Sequence, residues 1–105
     1  MKNIQLTCAH ALIKYLIAQK TLIDGKKVPL FPGVFGIFGH GNVACLGQAL
    51  QENQKDLPTW RGHHEQNMAL TGIAYSRAKR RKQIFIATSS VGPGSTNMIT
   101  AAAVA

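Results

Sequence analysis

Acidic side chains are scarce in this sequence. Asp24, Glu52, Asp56 and Glu65 are its only carboxylates, set against 12 Lys and Arg, for a formal net charge of +8. Cysteine is nearly absent. Cys8 and Cys45 share no metal-type spacing with each other or with the histidines, so no zinc motif is legible. Both thiols are expected to be reduced and half-buried, as suits a cytosolic protein. No stretch approaches the roughly 20 apolar residues that span a bilayer. The opening Met-Lys-Asn-Ile-Gln-Leu-Thr does not carry a basic region followed by a long apolar one, so no secretory leader pattern is visible. Charged residues make up 15% and hydrophobic residues 46%, which excludes a disordered chain. At 105 residues there is room for one small domain at most.

The basic excess raises the question of nucleic acid. Binders of that class set Lys and Arg among exposed aromatics on one surface. Here the one dense cluster is Arg77, Lys79, Arg80, Arg81 and Lys82, placed where a helix should end. Cations there are favoured by the helix dipole. The cluster reads as a solvated helix terminus, with no nucleic-acid or membrane partner.

Hydrophobic spacing gives an alternating pattern. Thr7 predicts an N-cap for a helix to about Lys20, with Leu12, Ile13, Leu16 and Ile17 as its buried stripe. Asp24-Gly25 marks a turn, and Pro29 and Pro32 keep the chain extended. Gly33 to Phe38 suits a buried parallel strand. A second helix should carry Val43, Leu46 and Leu50. Pro58 to Gly62 fits a short strand with Trp60 half-buried. A third helix opens at His64-Glu65, turning Met68, Ala69, Gly72 and Tyr75 inward. Gln83 to Thr88 is the clearest strand. The last eleven residues, Ser95 to Ala105, read as an apolar helix capped by Ser95 or Thr96. No Gly, Asn, Pro or basic residue closes that helix, which predicts that the chain is part of a longer protein. The alternation implies an α/β fold, a parallel sheet with helices on both faces.

In such sheets a ligand lies beyond the carboxyl ends of the strands. Three places qualify: 39–42, 63–65 and 89–94. Gly39-His40-Gly41-Asn42-Val43-Ala44 matches the G-x-G-x-x-A dinucleotide fingerprint, a weak signal alone. His40 is either a polar loop residue or a proton donor and acceptor near neutral pH. Glu65 stands at a helix start after a half-buried aromatic strand. The helix dipole favours its ionised form and burial opposes it. Its role is either to stabilise the helix or to serve a ligand. Gly92-Pro93-Gly94 forces a tight turn into the last helix, with Asn97 placed to cap or anchor it.

Taken together, Gly36-Ile37-Phe38-Gly39, His64-Glu65-Gln66-Asn67-Met68-Ala69 and Ala87 through Asn97 resemble the pyrimidine-binding domain of thiamin-diphosphate (ThDP) enzymes of the acetolactate synthase and decarboxylase type. The resemblance runs from the first helix to the last residue, and it implies a flavodoxin-like domain. The order and spacing of the three segments are more specific than any one of them. It implies that the Glu65 carboxylate bonds the cofactor's pyrimidine ring at N1′, and that Gly92, Pro93, Gly94 and Asn97 also contact the cofactor. His40 stands where acetolactate synthases carry a second glycine, and where several ThDP decarboxylases carry an acid–base or substrate-facing residue. That implies a catalytic role for His40; His63 and His64 are less compelling.

The stretch Pro32 to Val43, the polar insert at 24–27 and the long Ser89-Ser90-Val91-Gly92-Pro93-Gly94 loop are similar to a branch of that family that hydrolyses a ring C–C bond of a small cyclic dione. Acetolactate synthase-like chemistry is the alternative within the family; a dinucleotide- or nucleic-acid-binding module is the alternative outside it. The family holds diphosphate and Mg²⁺ through a Gly-Asp-Gly…Asn motif in a later domain, and nothing here matches it. The resemblance therefore implies that residues 1–105 are the N-terminal part of a pyrimidine-binding domain, without the central and diphosphate-binding domains. It further implies a homodimer or tetramer for the full-length enzyme, and that the chain alone neither binds ThDP tightly nor turns over substrate.

Overall fold

The computed structural model describes residues 2–105. Helix α1 spans Cys8–Ala18. Thr7 caps it as expected, its hydroxyl accepting from the His10 N–H at 3.1 Å. Ile13 is buried, and Leu16 and Ile17 pack partly against the same core. Leu12 departs from the expected stripe and stays 48% exposed.

The helix ends two residues short of Lys20, because the chain turns there into an antiparallel hairpin. Strands β1, Lys20–Ile23, and β2, Lys26–Pro29, pair in the register Lys20↔Pro29 and Ile23↔Lys26. Asp24 and Gly25 form the two-residue turn, at φ 52° and 78°. An Asp-Gly pair tolerates such positive φ values and matches the twist of the flanking strands. The turn is legible in the sequence; the strands on either side of it are not.

The central sheet is parallel, in the order β4-β3-β5. Strand β3 is Val34–Gly36, β4 is Thr59–Arg61 and β5 is Ile86–Thr88. Val34 pairs with Thr59 on one side and Ile86 on the other. All three strands are shorter than the sequence predicts. For β3 the reason is local: the Phe38 ring folds back over Gly36, where an added Cβ would lie 2.7 Å from Phe38 Cζ.

After β3 a helical stretch covers 39–52. It comprises α2 (Gly39–Asn42), a π-helical segment (Val43–Gly47) and α3 (Gln48–Glu52). Residues 39–42 are therefore the first helical turn, where the sequence suggested a loop. Val43, expected inside, is 57% exposed, while Ala49 and Leu50 are buried. The π segment shifts the helical register, so the inward face of α3 is not continuous with that of α2. Helix α4, Glu65–Ala78, buries Met68 and Gly72.

The final helix begins earlier than predicted and is broken. Pro93–Thr96 forms one turn, α5, and Ile99–Val104 forms α6. Neither Ser95 nor Thr96 caps it. Their hydroxyls donate instead to the carbonyls of Ser90 and Gly92 at 2.9 and 3.1 Å.

Helices lie on both sides of the sheet. Ile13 of α1 and Ala49 and Leu50 of α3 join Val34 and Leu57 in one core, with Ile86 packed against it. On the opposite face Phe35 stacks near Phe85 with centroids 4.5 Å apart, and Tyr75 of α4 meets Phe85 edge-on at 5.3 Å. Trp60 extends that aromatic row and keeps half its surface exposed, at 50%. Gln83 is the buried polar residue linking the layers. It accepts from Tyr75 Oη and donates to the Pro29 carbonyl at 2.8 Å. The basic cluster ends α4 as expected, with Lys79 Nζ 5.7 Å from the Tyr75 ring centroid. Both cysteines are exposed, contrary to the half-buried expectation. Cys8 opens α1, and Cys45 lies on the outer side of the π segment.

Candidate functional site

The carboxyl ends of β3, β4 and β5 lead into the three segments singled out from sequence, and side chains tie them together. Asn42 Nδ2 donates to the Ser89 carbonyl at 3.0 Å, joining the first segment to the third. Asn97 Nδ2 donates to Glu65 Oε2 at 2.9 Å, joining the third to the second. The same amide nitrogen stands 3.3 Å from His64 Nε2.

Glu65 occupies the first turn of α4. His64, the N-cap residue, provides no side-chain cap, so the first-turn N–H groups and the helix dipole favour a negative charge there. The Asn97 hydrogen bond holds the Glu65 carboxyl below its ordinary value, and its own backbone N–H adds to this. Partial burial opposes both and the nearby His64 assists them. The result is a half-buried carboxylate kept ionised.

The turn after β5 is fixed from several directions. Gly92 takes φ 70°, and Pro93 follows at the start of α5, where its missing N–H costs nothing. The hydroxyls of Ser89 and Ser95 both donate to the Ser90 carbonyl, at 3.1 and 2.9 Å. Gly94 is buried against the site. A Cβ built there would lie 2.5 Å from Ser90 Oγ and 3.3 Å from Glu65 Oε1. Glycine at 94 thus leaves a flat backbone surface beside Oε1 of Glu65.

Glu65, Gly92, Pro93, Gly94 and Asn97 line one open cleft, with Ser90 and Thr96. His40 is exposed and lies in a neighbouring cleft with Phe38, Asn42 and Val91, on the other side of the 89–92 loop. His63 is exposed at the bend before α4. Two residues were not singled out from sequence. Asn42 offers no motif-level signal for its bond to Ser89. Ser90 belongs to the 89–94 loop, but nothing in sequence distinguishes it from Ser89. A dinucleotide site would want an acid at the end of the second strand to hold a ribose. Strand β4 ends instead in Arg61, and Glu65 is engaged by Asn97.

A ThDP aminopyrimidine would need an ionised carboxylate and a surface without side chains beside it. The residues present fit such a group: Asn97 bonds Glu65 Oε2, and Oε1 lies beside Gly94. Among the described residues no cluster of three or more His, Cys, Asp or Glu could hold a metal ion.

The α/β alternation and the pairing of a helix-start glutamate with a Gly-Pro-Gly turn accord with the family that this sequence matches. Residues 32–105 fit the family described as thiamine pyrophosphate enzyme, N-terminal TPP binding domain, and the chain belongs to that family. Thiamine pyrophosphate is ThDP under its other name. Over its whole length the chain is 52% identical to a 3D-(3,5/4)-trihydroxycyclohexane-1,2-dione hydrolase of Geobacillus thermodenitrificans. It is 50% identical to the proteins of that name from Clostridium tetani and Bacillus thuringiensis. The chain spans 16% of the length of each. No solved structure matches it.

Proposed function

We propose that this chain is the pyrimidine-binding part of a ThDP-dependent hydrolase that opens the ring of trihydroxycyclohexane-1,2-dione, a step of myo-inositol degradation. The observation that carries this reading is the Glu65 carboxylate, oriented by Asn97 and opening onto Gly94, in a chain half identical to hydrolases of that name. The domain is of flavodoxin-like type. Mg²⁺ and the diphosphate are held by a later domain of the same enzyme, and the active enzyme is a cytoplasmic homodimer or tetramer.

ThDP, when bound, supplies the nucleophilic carbon and electron sink that let a C–C bond beside a carbonyl break. Glu65, held ionised, would accept a hydrogen bond from the pyrimidine N1′ and so favour the protonated form of that ring. Asn97 fixes the carboxylate's orientation. Gly92 and Gly94 would present backbone to the ring without a side chain in its way, and Pro93 would fix the turn between them. Hydrolysis adds the hydroxyl of water to one carbon of the broken bond, as a carboxylate, and a proton to the other. His40, in the adjoining cleft, delivers and removes protons at the substrate.

The test is to assay the assembled enzyme, titrated with ThDP and Mg²⁺, for ring opening of trihydroxycyclohexane-1,2-dione and for joining of two 2-oxoacids. Ring opening that depends on ThDP is the expected result. Carboligation without ring opening would replace this reading with an acetolactate synthase-like one.

A further inference from the structure

The strand order β4-β3-β5 means that the chain leaves β3 toward one side of the sheet and later crosses to the other. The crevice between the loops after β3 and β5 is thus a topological switch point, where ligands settle in open α/β sheets. The cleft holding His40 lies there, between residues 38–42 and the loop after β5. Its volume is about 210 Å³, below the roughly 300–1,000 Å³ of sites for drug-sized ligands. It suits a single six-membered ring.

Ser90 is the one residue among those described that lines both this cleft and the Glu65 cleft. It is wedged between two glycines. A Cβ on Gly39 would lie 2.5 Å from Ser90 Cβ, and a Cβ on Gly94 would lie 2.5 Å from Ser90 Oγ. Its carbonyl is anchored by the hydroxyls of Ser89 and Ser95. Its own hydroxyl forms no hydrogen bond among the described residues. Among the described residues no fully buried side-chain polar atom lacks a partner, so this hydroxyl keeps access to solvent, and a ligand entering the cleft would meet it in place of water. The same cleft is lined by His40, which is polar, and by Phe38 and Val91, which are apolar. That mixture matches a carbon ring with an apolar face and a hydroxylated rim.

We propose that Ser90 is a specificity-determining residue that hydrogen-bonds a ring hydroxyl of a polyhydroxylated cyclic dione held in the switch-point cleft. The proposal rests on the hydrolase reading above and adds to it the residue that distinguishes a hydroxylated ring from a bare one. Losing one such bond is expected to cost about tenfold in discrimination.

In the assembled, ThDP-loaded enzyme, kcat/KM is compared between trihydroxycyclohexane-1,2-dione and unsubstituted cyclohexane-1,2-dione. Ser90→Ala should lower the preference for the hydroxylated ring about tenfold, mainly through KM. Competitive inhibition by cyclohexane-1,2,3-triol should weaken by a similar factor. Ser90→Cys keeps the shape of the side chain, with a slightly larger atom at its tip, but loses the strong donor, and should behave the same way. ThDP binding is titrated for each variant. An unchanged preference in a variant that still binds ThDP overturns the proposal. Loss of ThDP binding in both variants also overturns it, since Ser90 would then be a packing wedge. If the unaltered enzyme binds ThDP yet opens neither ring, the hydrolase reading fails first and takes the proposal with it.

Discussion

Asn97 Nδ2 reaches Glu65 Oε2 across 2.9 Å, although 32 positions separate the two residues in sequence. This bond is the largest cause of the lowered Glu65 pKa. Asn97→Ala should let the carboxyl rise toward its ordinary range. The ionised form would then be lost at a higher pH, so the acid limb of kcat/KM in the assembled enzyme should move upward. A pH–rate profile of the variant checks this, and an unmoved limb would reject Asn97 as the group that sets the charge of Glu65.

Glu65→Gln keeps the length of the side chain and leaves an oxygen for Asn97 to bond. The fold should persist and turnover should fall at least about a hundredfold, the scale of a lost acid–base function. Circular dichroism and steady-state kinetics check the two halves. Retained turnover sinks the assignment.

His10 joins α1 to α3. Its Nε2 lies 2.6 Å from Glu52 Oε2, and its Nδ1 2.7 Å from the Thr7 hydroxyl. The hydrogen bond to His10 lowers the Glu52 pKa, with Gln48 adding to it. A depressed carboxyl contributes stability that is complete above its ordinary value and is lost as pH falls through the lower folded value. Glu52→Gln should therefore flatten stability against pH in that acidic window and change little near neutrality beyond the loss of an exposed pair. Urea midpoints measured across the window decide it.

Gln83 uses both ends of its buried amide, on Tyr75 and on the Pro29 carbonyl. Gln83→Leu would fill the space and leave both partners unsatisfied. A loss of about 1–3 kcal/mol is expected, read from chemical denaturation. A neutral result would mean that water replaces the amide.

Two glycines in the candidate site should respond in opposite ways. A Cβ at Gly41 meets nothing within 4 Å, so Gly41→Ala should leave stability unchanged or raise it, since alanine favours a helix by about 1 kcal/mol. A Cβ at Gly94 meets Ser90 Oγ at 2.5 Å. Gly94→Ala should displace Ser90, lower the melting temperature and weaken ThDP binding in the assembled enzyme.

What was legible in the sequence follows from the range of each interaction. Thr7 and the Asp24-Gly25 turn were readable because a cap and a tight turn are decided within a few residues. The positions of 39–42, 63–65 and 89–94 were readable as strand ends, and the rule for α/β sheets brought them together. The hairpin strands were not, since the flanks of Asp24-Gly25 each run from polar to apolar and carry no clean alternation. Val43 and Leu12 were misplaced because a helical wheel assumes an unbroken α-helix covered along one whole face. Two cross-chain bonds, Asn42 to Ser89 and Gln83 to Pro29, lay beyond reach altogether. They join positions 47 and 54 residues apart, and nothing local requires them.

The π-helical segment Val43–Gly47 stands between His40 and the buried anchors Ala49 and Leu50. Such a segment holds one residue more than the α-helical turn it replaces. The segment takes up that extra residue locally, so the helical turns before and after it keep their own facing. Leu46, inside the segment, packs against the core, while His40 stands one turn before it in the cleft. The same five residues thus serve two masters, and a change made there for the sake of the core would be felt at the histidine as well.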